Sequence, residues 1–296
     1  MKSQESSGEN QVELRELGEW LKAAVDSACI GLYYDNPSWR LGASKIGEDC
    51  KRALWYQFRW CYVEIPDARV LRLLNRGNRE EARFLEWIEK AGCQLWAFDE
   101  EGKQHGFKSC SDHFAGTADS IVKLPQEFNF DKPLLASFKT NGTGKGFDGL
   151  FSNGLQKHKP LHWAQECTLG YQLNLDYCAY FNINKNDDSL YVEIVKLDHK
   201  LGKQMKDKAE IVIKSQTPPP KISDNPNSKH CQCCNMKTVC CEDKQVFISC
   251  RSCKNAQPVD NAQWQCAHYN QIIPREFIES WLSGNVACEY WKDITK

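Results

Sequence analysis

Leu14, Leu17, Leu21, Ala24, Val25 and Ala28 recur at three- and four-residue intervals, so residues 11–29 predict an amphipathic helix with one buried face. A second helical period spans 69–91 and is stopped by Gly92. Runs rich in β-branched and aromatic residues then predict strands at 106–110, 114–124, 134–140, 177–184 and 189–195. The polar turn Asn184-Lys185-Asn186-Asp187-Asp188 joins the last two into a hairpin. Helical patterns at 160–175 and 198–214 flank that hairpin, the latter with Leu201, Met205 and Val212 on one side. The order describes an α/β domain, and many folds share it.

Composition refines the organisation. A chain of 296 residues can build one large domain and a small one. Residues 1–10 are polar and expected to be disordered, 11–214 form the domain, and 231–296 form a cysteine-rich region. Between the last two, Thr217-Pro218-Pro219-Pro220 and the polar stretch to His230 read as a semi-rigid linker over 215–230. With 38 basic and 39 acidic residues there is no global field to attract nucleic acid, so a DNA site must be a local cleft. No apolar run approaches a membrane span, and no charged-then-apolar leader opens the chain. Nine of the 16 cysteines fall from Cys231 onward, and in a reducing compartment such clustering points to metals before disulfides.

Chemistry concentrates at a few places. In the strand at 134–140, Ser137 and Lys139 share one face while Ala136 and Phe138 point into the core. Asp119, in Gly116-Thr117-Ala118-Asp119, is an acid in a β-rich run, which asks for a partner. Glu81 belongs to a charged helical stretch with Arg76, Arg79, Glu80 and Arg83, which by itself reads as a solvated face. Gln165 lies early in the helix at 160–175. The glycine-rich stretch 140–147 with Lys145 lacks the P-loop pattern and reads as a surface loop. Cys50 stands alone early, and Cys231-x2-Cys234-x5-Cys240 follows late, with Cys233, Cys241 and His230 as further donors. Cys250-x2-Cys253-x12-Cys266 looks like a zinc knuckle whose fourth ligand is Cys288 or His268. Cys29, Cys61, Cys93, Cys110, Cys167 and Cys178 read as packed core thiols, and the aromatic run 55–60 as core or site cover.

Taken together over about 42–288, these motifs resemble the iron–sulfur members of the RecB-like PD-(D/E)XK exonucleases, which include CRISPR-adaptation nucleases and phage recombination exonucleases. The resemblance implies a restriction-endonuclease-like PD-(D/E)XK core, a mixed sheet flanked by helices, with a C-terminal cysteine-rich metal-binding region. It implies that Glu81 and Asp119 hold Mg²⁺ or Mn²⁺, that Lys139 supports the transition state, and that Gln165 orients substrate. In that family Gln165 would open a Gln-x3-Tyr motif, where this chain has Leu169. Cys50, Cys231, Cys234 and Cys240 would hold a [4Fe–4S] cluster, Arg52 fitting the family's Cys-x-Arg start, with Zn²⁺ the rival metal for four thiolates.

The implied activity is resection of linear DNA ends in phage recombination or replication, with a single-strand annealing protein as partner. The implied location is the cytoplasm of a bacterial or phage-infected cell. Ser137 departs from the pattern, for the family carries an acid there, and its loss predicts a weakened metal site and impaired cleavage. An inactivating substitution, an inactive relative, or another acid would each explain it, and Asp131 is the nearest such acid in sequence. The alternative function is a catalytically inactive DNA-end-binding protein on the same fold.

Overall fold

The computed structural model describes residues 6–296, except 35, 65, 143, 243 and 285–287. In chain order the elements are α1 (Ser6–Tyr33), β1 (Leu41–Gly42), α2 (Lys51–Phe58), α3 (Ala68–Lys90), β2 (Gln94–Trp96), β3 (Gly106–Ser109), β4 (Phe114–Thr117), β5 (Ser120–Lys123) and β6 (Leu134–Asn141). There follow α4 (Lys145–His158), α5 (Pro160–Leu173), β7 (Tyr177–Asn184), β8 (Leu190–Lys196), α6 (His199–Lys214), α7 (Lys237–Cys241), β9 (Ala256–Val259), β10 (Gln263–Cys266), β11 (Gln271–Ile273) and α8 (Arg275–Ser280). No helix among the described residues is long and apolar enough to cross a membrane.

The chain divides into two compact units: α1 with α3 as far as Glu80, and everything from Asn36 to Val63 and from Glu81 to Lys296. In the first unit Arg72 ties α3 to α1 through Asp26 at 2.6 Å. Part of the sequence expectation is corrected here. The segment expected to be disordered is partly helical, since α1 starts at Ser6, while residues 1–5 lie outside the described residues. The apolar stripe expected to be buried is open to solvent at Leu14, Leu17, Leu21 and Val25. Two helices offer too little apolar surface to cover it.

The second unit is built on a five-stranded sheet in the order β2-β5-β6-β7-β8. β6 and β7 are parallel and the other neighbours antiparallel, so β6 reaches β7 through the α4–α5 crossover. Leu134 to Phe138 are all buried, because the sheet is covered on both faces. One cluster packs Leu135, Cys167 and Tyr180, and another packs Phe84 and Ile88 of α3 against Val122 and Phe138. Ser137 is therefore 2% exposed, where the alternation suggested an open face.

The predicted strand at 114–124 is two strands in two sheets. β4 pairs with β1 and β3, β5 pairs with β2 and β6, and the change comes at Ala118-Asp119. Asp119 explains the break: its carboxylate leaves the ladder to accept the Phe138 backbone N–H at 2.6 Å. Helix α4 takes the last three residues of what read as loop, 145–147, and runs on to His158. Its apolar side, Phe147, Leu150 and Leu155, is interrupted by glycines, one of which (Gly154, φ 66°) kinks the helix.

The cysteine-rich region is part of the second unit, not a separate appendage. Its antiparallel sheet, β11-β10-β9, contributes Trp264 to a core shared with Trp55, Phe58 and Trp60. Trp39 donates to the Ala262 carbonyl at 2.8 Å and Arg59 to that of Ala256 at 2.7 Å. The 215–230 stretch is likewise tied down, with Trp55 donating to the Ser215 carbonyl (2.9 Å) and Arg52 to that of Pro219 (2.5 Å). So small a segment buries enough apolar area only by sharing a core.

Candidate active site and cysteine centres

The parallel register places Ser137 beside Tyr180 and Lys139 beside Asn182, and α5 packs against both strands. Ser137 Oγ donates to Glu166 Oε1 at 2.7 Å. Lys139 Nζ lies 3.8 Å from that same oxygen and 3.7 Å from Asp119 Oδ2. Glu166 is 1% exposed, and its other oxygen, Oε2, is buried with no hydrogen-bond partner. On α3, Glu81 shares the electrostatics of this cluster: burial pushes its carboxyl up, the Asp119 charge adds to this, and Lys139 opposes it.

The buried pair settles with the lysine charged. Burial would lower Lys139, but Asp119 and Glu166 together hold it above the usual lysine range. Glu166 is the member that gives way, pushed up to about 7 by burial, with Lys139 pulling back and Asp119 adding to the rise. Behind it, His162 Nδ1 sits 2.8 Å from Tyr180 Oη, which also accepts from Asn182 Nδ2 at 3.0 Å. Burial, then the charges of Lys139 and Lys159, holds His162 down to about 4 and so neutral.

The donors gathered here are hard carboxylate oxygens, one of them buried and unpartnered, a set that suits Mg²⁺ or Mn²⁺. Among the described residues no three ligand-type side chains are already closed up as a coordination sphere. The Lys139 ammonium stands between Asp119 and Glu166.

Of the residues singled out in the sequence, Asp119, Ser137, Lys139 and Glu81 are brought together. Gln165 is half-buried on α5, outside the hydrogen bonds that knit the cluster. Asp131, the acid nearest to Ser137 in sequence, is solvated as a loop aspartate usually is: its side chain is 88% exposed and pairs with Lys123 at 3.6 Å. The residue missed is Glu166. Its signal was present, a glutamate flanked in one helix by Trp163, Ala164, Cys167 and Leu169, all buried.

The thiols form two groups. Cys50, at the N-cap of α2, lines one pocket with Cys231, Cys234 and Cys240, and with Cys241 and His230. Burial raises Cys234; the Met236 backbone N–H counters this, and Cys50, Cys231 and Cys240 add to the rise. Cys250, Cys253, Cys266 and Cys288 line a second cavity of about 670 Å³. There Cys253 Sγ accepts the backbone N–H groups of Asn255 and Lys292, each at 3.4 Å. Burial pushes Cys250 up to about 12, the neighbouring Cys253 adding to it. Cys288 lines this cavity, while His268 stacks on Tyr290 at 3.9 Å. Cys61, Cys167 and Cys178 are buried core thiols, while Cys29, Cys93 and Cys110 are half-buried.

No protein-family profile matches the chain, and no curated protein matches it. Among solved structures, it is similar to an alkaline exonuclease (LHK-Exo) from Laribacter hongkongensis at TM-score 0.42 and 15% identity, over 60% of this chain and 87% of that one. LHK-Exo in complex with dAMP gives TM-score 0.41 and 13% identity, over 59% of this chain and 86% of that one. The crystal structure of SSO0001 gives TM-score 0.41 and 11% identity, over 75% and 96%. At these scores the likeness carries no weight for function, which must be read from the site.

Proposed function

We propose that the chain is a metal-dependent DNA exonuclease of PD-(D/E)XK type whose third acid is Glu166 on α5, not the residue at position 137. One observation carries this reading: the Glu166 carboxylate is bonded to Ser137 and stands 3.8 Å from Lys139, with an unpartnered oxygen beside Asp119's charge. An acid reaching in from the helix supplies the charge the strand lacks. The site then keeps its full set, and the chain is read as a working enzyme.

Asp119 and Glu166 would hold the cation, with Glu81 contributing from α3. When bound, Mg²⁺ or Mn²⁺ supplies Lewis-acid polarisation of a phosphodiester and acidifies water. The residues' own tasks follow from their positions. Ser137 fixes one Glu166 oxygen and leaves the other for the ligand. Lys139, fully charged between two acids, faces the negative charge that grows on the phosphoryl oxygens and orients the attacking water. Neutral His162 adds polarity to the wall without adding a competing positive charge.

The family pattern extends this reading to linear DNA ends as substrate, a single-strand annealing protein as partner, a [4Fe–4S] cluster on Cys50, Cys231, Cys234 and Cys240, and Zn²⁺ on Cys250, Cys253, Cys266 and Cys288. Each quartet lines one pocket, and thiolates are the ligands that such metals take. End-labelled linear DNA incubated with Mn²⁺ tests the activity: nucleotide release by the chain, lost in Glu166→Gln, is the expected result. DNA binding without product in both would favour the non-cutting, end-binding reading.

A further inference from the structure

Strand β8 ends the five-stranded sheet, and among the described residues no strand pairs with its outer side. The Asn184 N–H donates to the Ser189 carbonyl and the Leu197 N–H to that of Asp176, which fixes the phase of the β7–β8 ladder. Residues 191, 193 and 195 therefore turn their backbone groups to β7, while Leu190, Val192, Ile194 and Lys196 turn theirs outward. Proteins commonly blunt such an edge by keeping it short or by placing proline or a bulge in it. The opposite edge, β2, has three residues; β8 has seven, in unbroken register with β7 and without proline or glycine.

The side chains of the outward residues share one face. Leu190, Val192 and Ile194 on it are 47%, 48% and 49% exposed. On the next strand the same face is covered, for Ile183, opposite Leu190, is buried with Phe84 and Ile88 of α3. That cover stops short of β8. The reverse face is pinned: Glu193 accepts the Leu155 N–H at 2.8 Å and the Tyr191 hydroxyl at 2.7 Å, and Phe151 of α4 packs edge-on to the Tyr191 ring. The edge is held in place with an apolar stripe and a row of backbone groups open.

A strand added here must set its own outward residues against these, and β8 itself does so in antiparallel register about a two-fold axis at Val192. Val192 then faces the partner's Val192 and Leu190 faces the partner's Ile194. The two apolar stripes become continuous, and about six backbone hydrogen bonds form. Lys196, at one end of the strand, comes opposite the partner's Asp188 at the other. Moving the axis to Glu193 sets two Glu193 side chains against each other and Lys196 against Leu190. Moving it to Tyr191 sets Asp188 against Ile194. Charge and apolar pattern both select the Val192 axis.

We propose that two copies of this chain pair β8 to β8, joining their five-stranded sheets into one across a two-fold axis at Val192. The joined edges and stripes bury on the order of 1,000 Å², small for a stable dimer, so a Kd of about 10 µM is expected. Sedimentation velocity of the full-length protein should show monomer passing to dimer between about 1 and 100 µM. Hydrogen–deuterium exchange should slow about tenfold or more over 190–196 at the upper concentration, because outward amides gain carbonyl partners. Val192→Lys sets two cations on the axis and should weaken association at least about tenfold. Lys196→Glu and Asp188→Lys should each weaken it about tenfold alone, and an equimolar mixture of the two should recover it, since every facing pair is then of opposite sign. A chain still monomeric at about 100 µM overturns the proposal and leaves the edge to a strand of another protein. A dimer whose 190–196 amides exchange as fast as the monomer's, or one that Val192→Lys leaves intact, places the contact elsewhere and overturns it too. Mixed variants that fail to recover overturn the register. The exchange measurement uses the unsubstituted chain, so it decides the matter even where a variant misfolds.

Discussion

Replacing Glu166 by glutamine should abolish cleavage and stabilise the protein. The carboxyl has an ordinary value of 4.5 and is pushed up to about 7 in the folded chain, by burial first. Between those values the folded protein keeps a proton that the unfolded chain has released. Glu166 therefore leaves stability intact below about pH 4.5, erodes it as pH rises to about 7, and adds no further loss above. At about 1.4 kcal/mol per pH unit, the interval is worth about 3 kcal/mol. Glutamine is neutral throughout and keeps an oxygen for the Ser137 hydroxyl. Against this, Lys139 loses one of its two counter-charges, so the net gain at pH 8 should be about 1–3 kcal/mol. Urea unfolding of both proteins at pH 5 and pH 8, without added divalent metal, measures it; nucleotide release with Mg²⁺ measures the loss, expected to be at least about a hundredfold. Parallel pH dependence in the two proteins would refute the placement of Glu166. Cleavage persisting in the variant would refute its role.

Ser137→Glu alone should give no rise in cleavage and should destabilise by about 2 kcal/mol or more, because it sets a second carboxylate against buried Glu166. Combined with Glu166→Ser it should recover part of the activity; equal inactivity of the double variant and Glu166→Ser would count against an acid shared between these positions. Asp119→Asn should cost at least about a hundredfold in rate, while its oxygen still accepts the Phe138 N–H and unfolding shifts little. Gly202→Ala would press a methyl onto the Cys167 carbonyl and Tyr171 Cβ where α5 and α6 cross, and should cost about 1–3 kcal/mol on thermal unfolding. Metal analysis should find zinc lost from Cys288→Ser and retained in His268→Ala, since the histidine is engaged with Tyr290; the opposite pattern would reverse the ligand assignment.

Local periodicity was enough to find β6, β7, the β7–β8 hairpin, α5 and α6, because each element's apolar pattern is written in its own residues. Residue chemistry also picked out Asp119 and Lys139, and the spacing of the late cysteines marked both thiol groups. Glycines hid α4, and Asp119 hid the division of 114–124 between two sheets. The apolar neighbours of Glu166 mark it as buried, but no local pattern names its partner. It meets Ser137 across 29 positions of sequence only because a two-helix crossover lays α5 over β6. The same holds for Arg59 and Ala256, 197 positions apart, which bind the cysteine-rich region into one core. Periodicity tells which face of an element avoids water; which charges meet across that face depends on register and connection, and these exist only once the chain has folded.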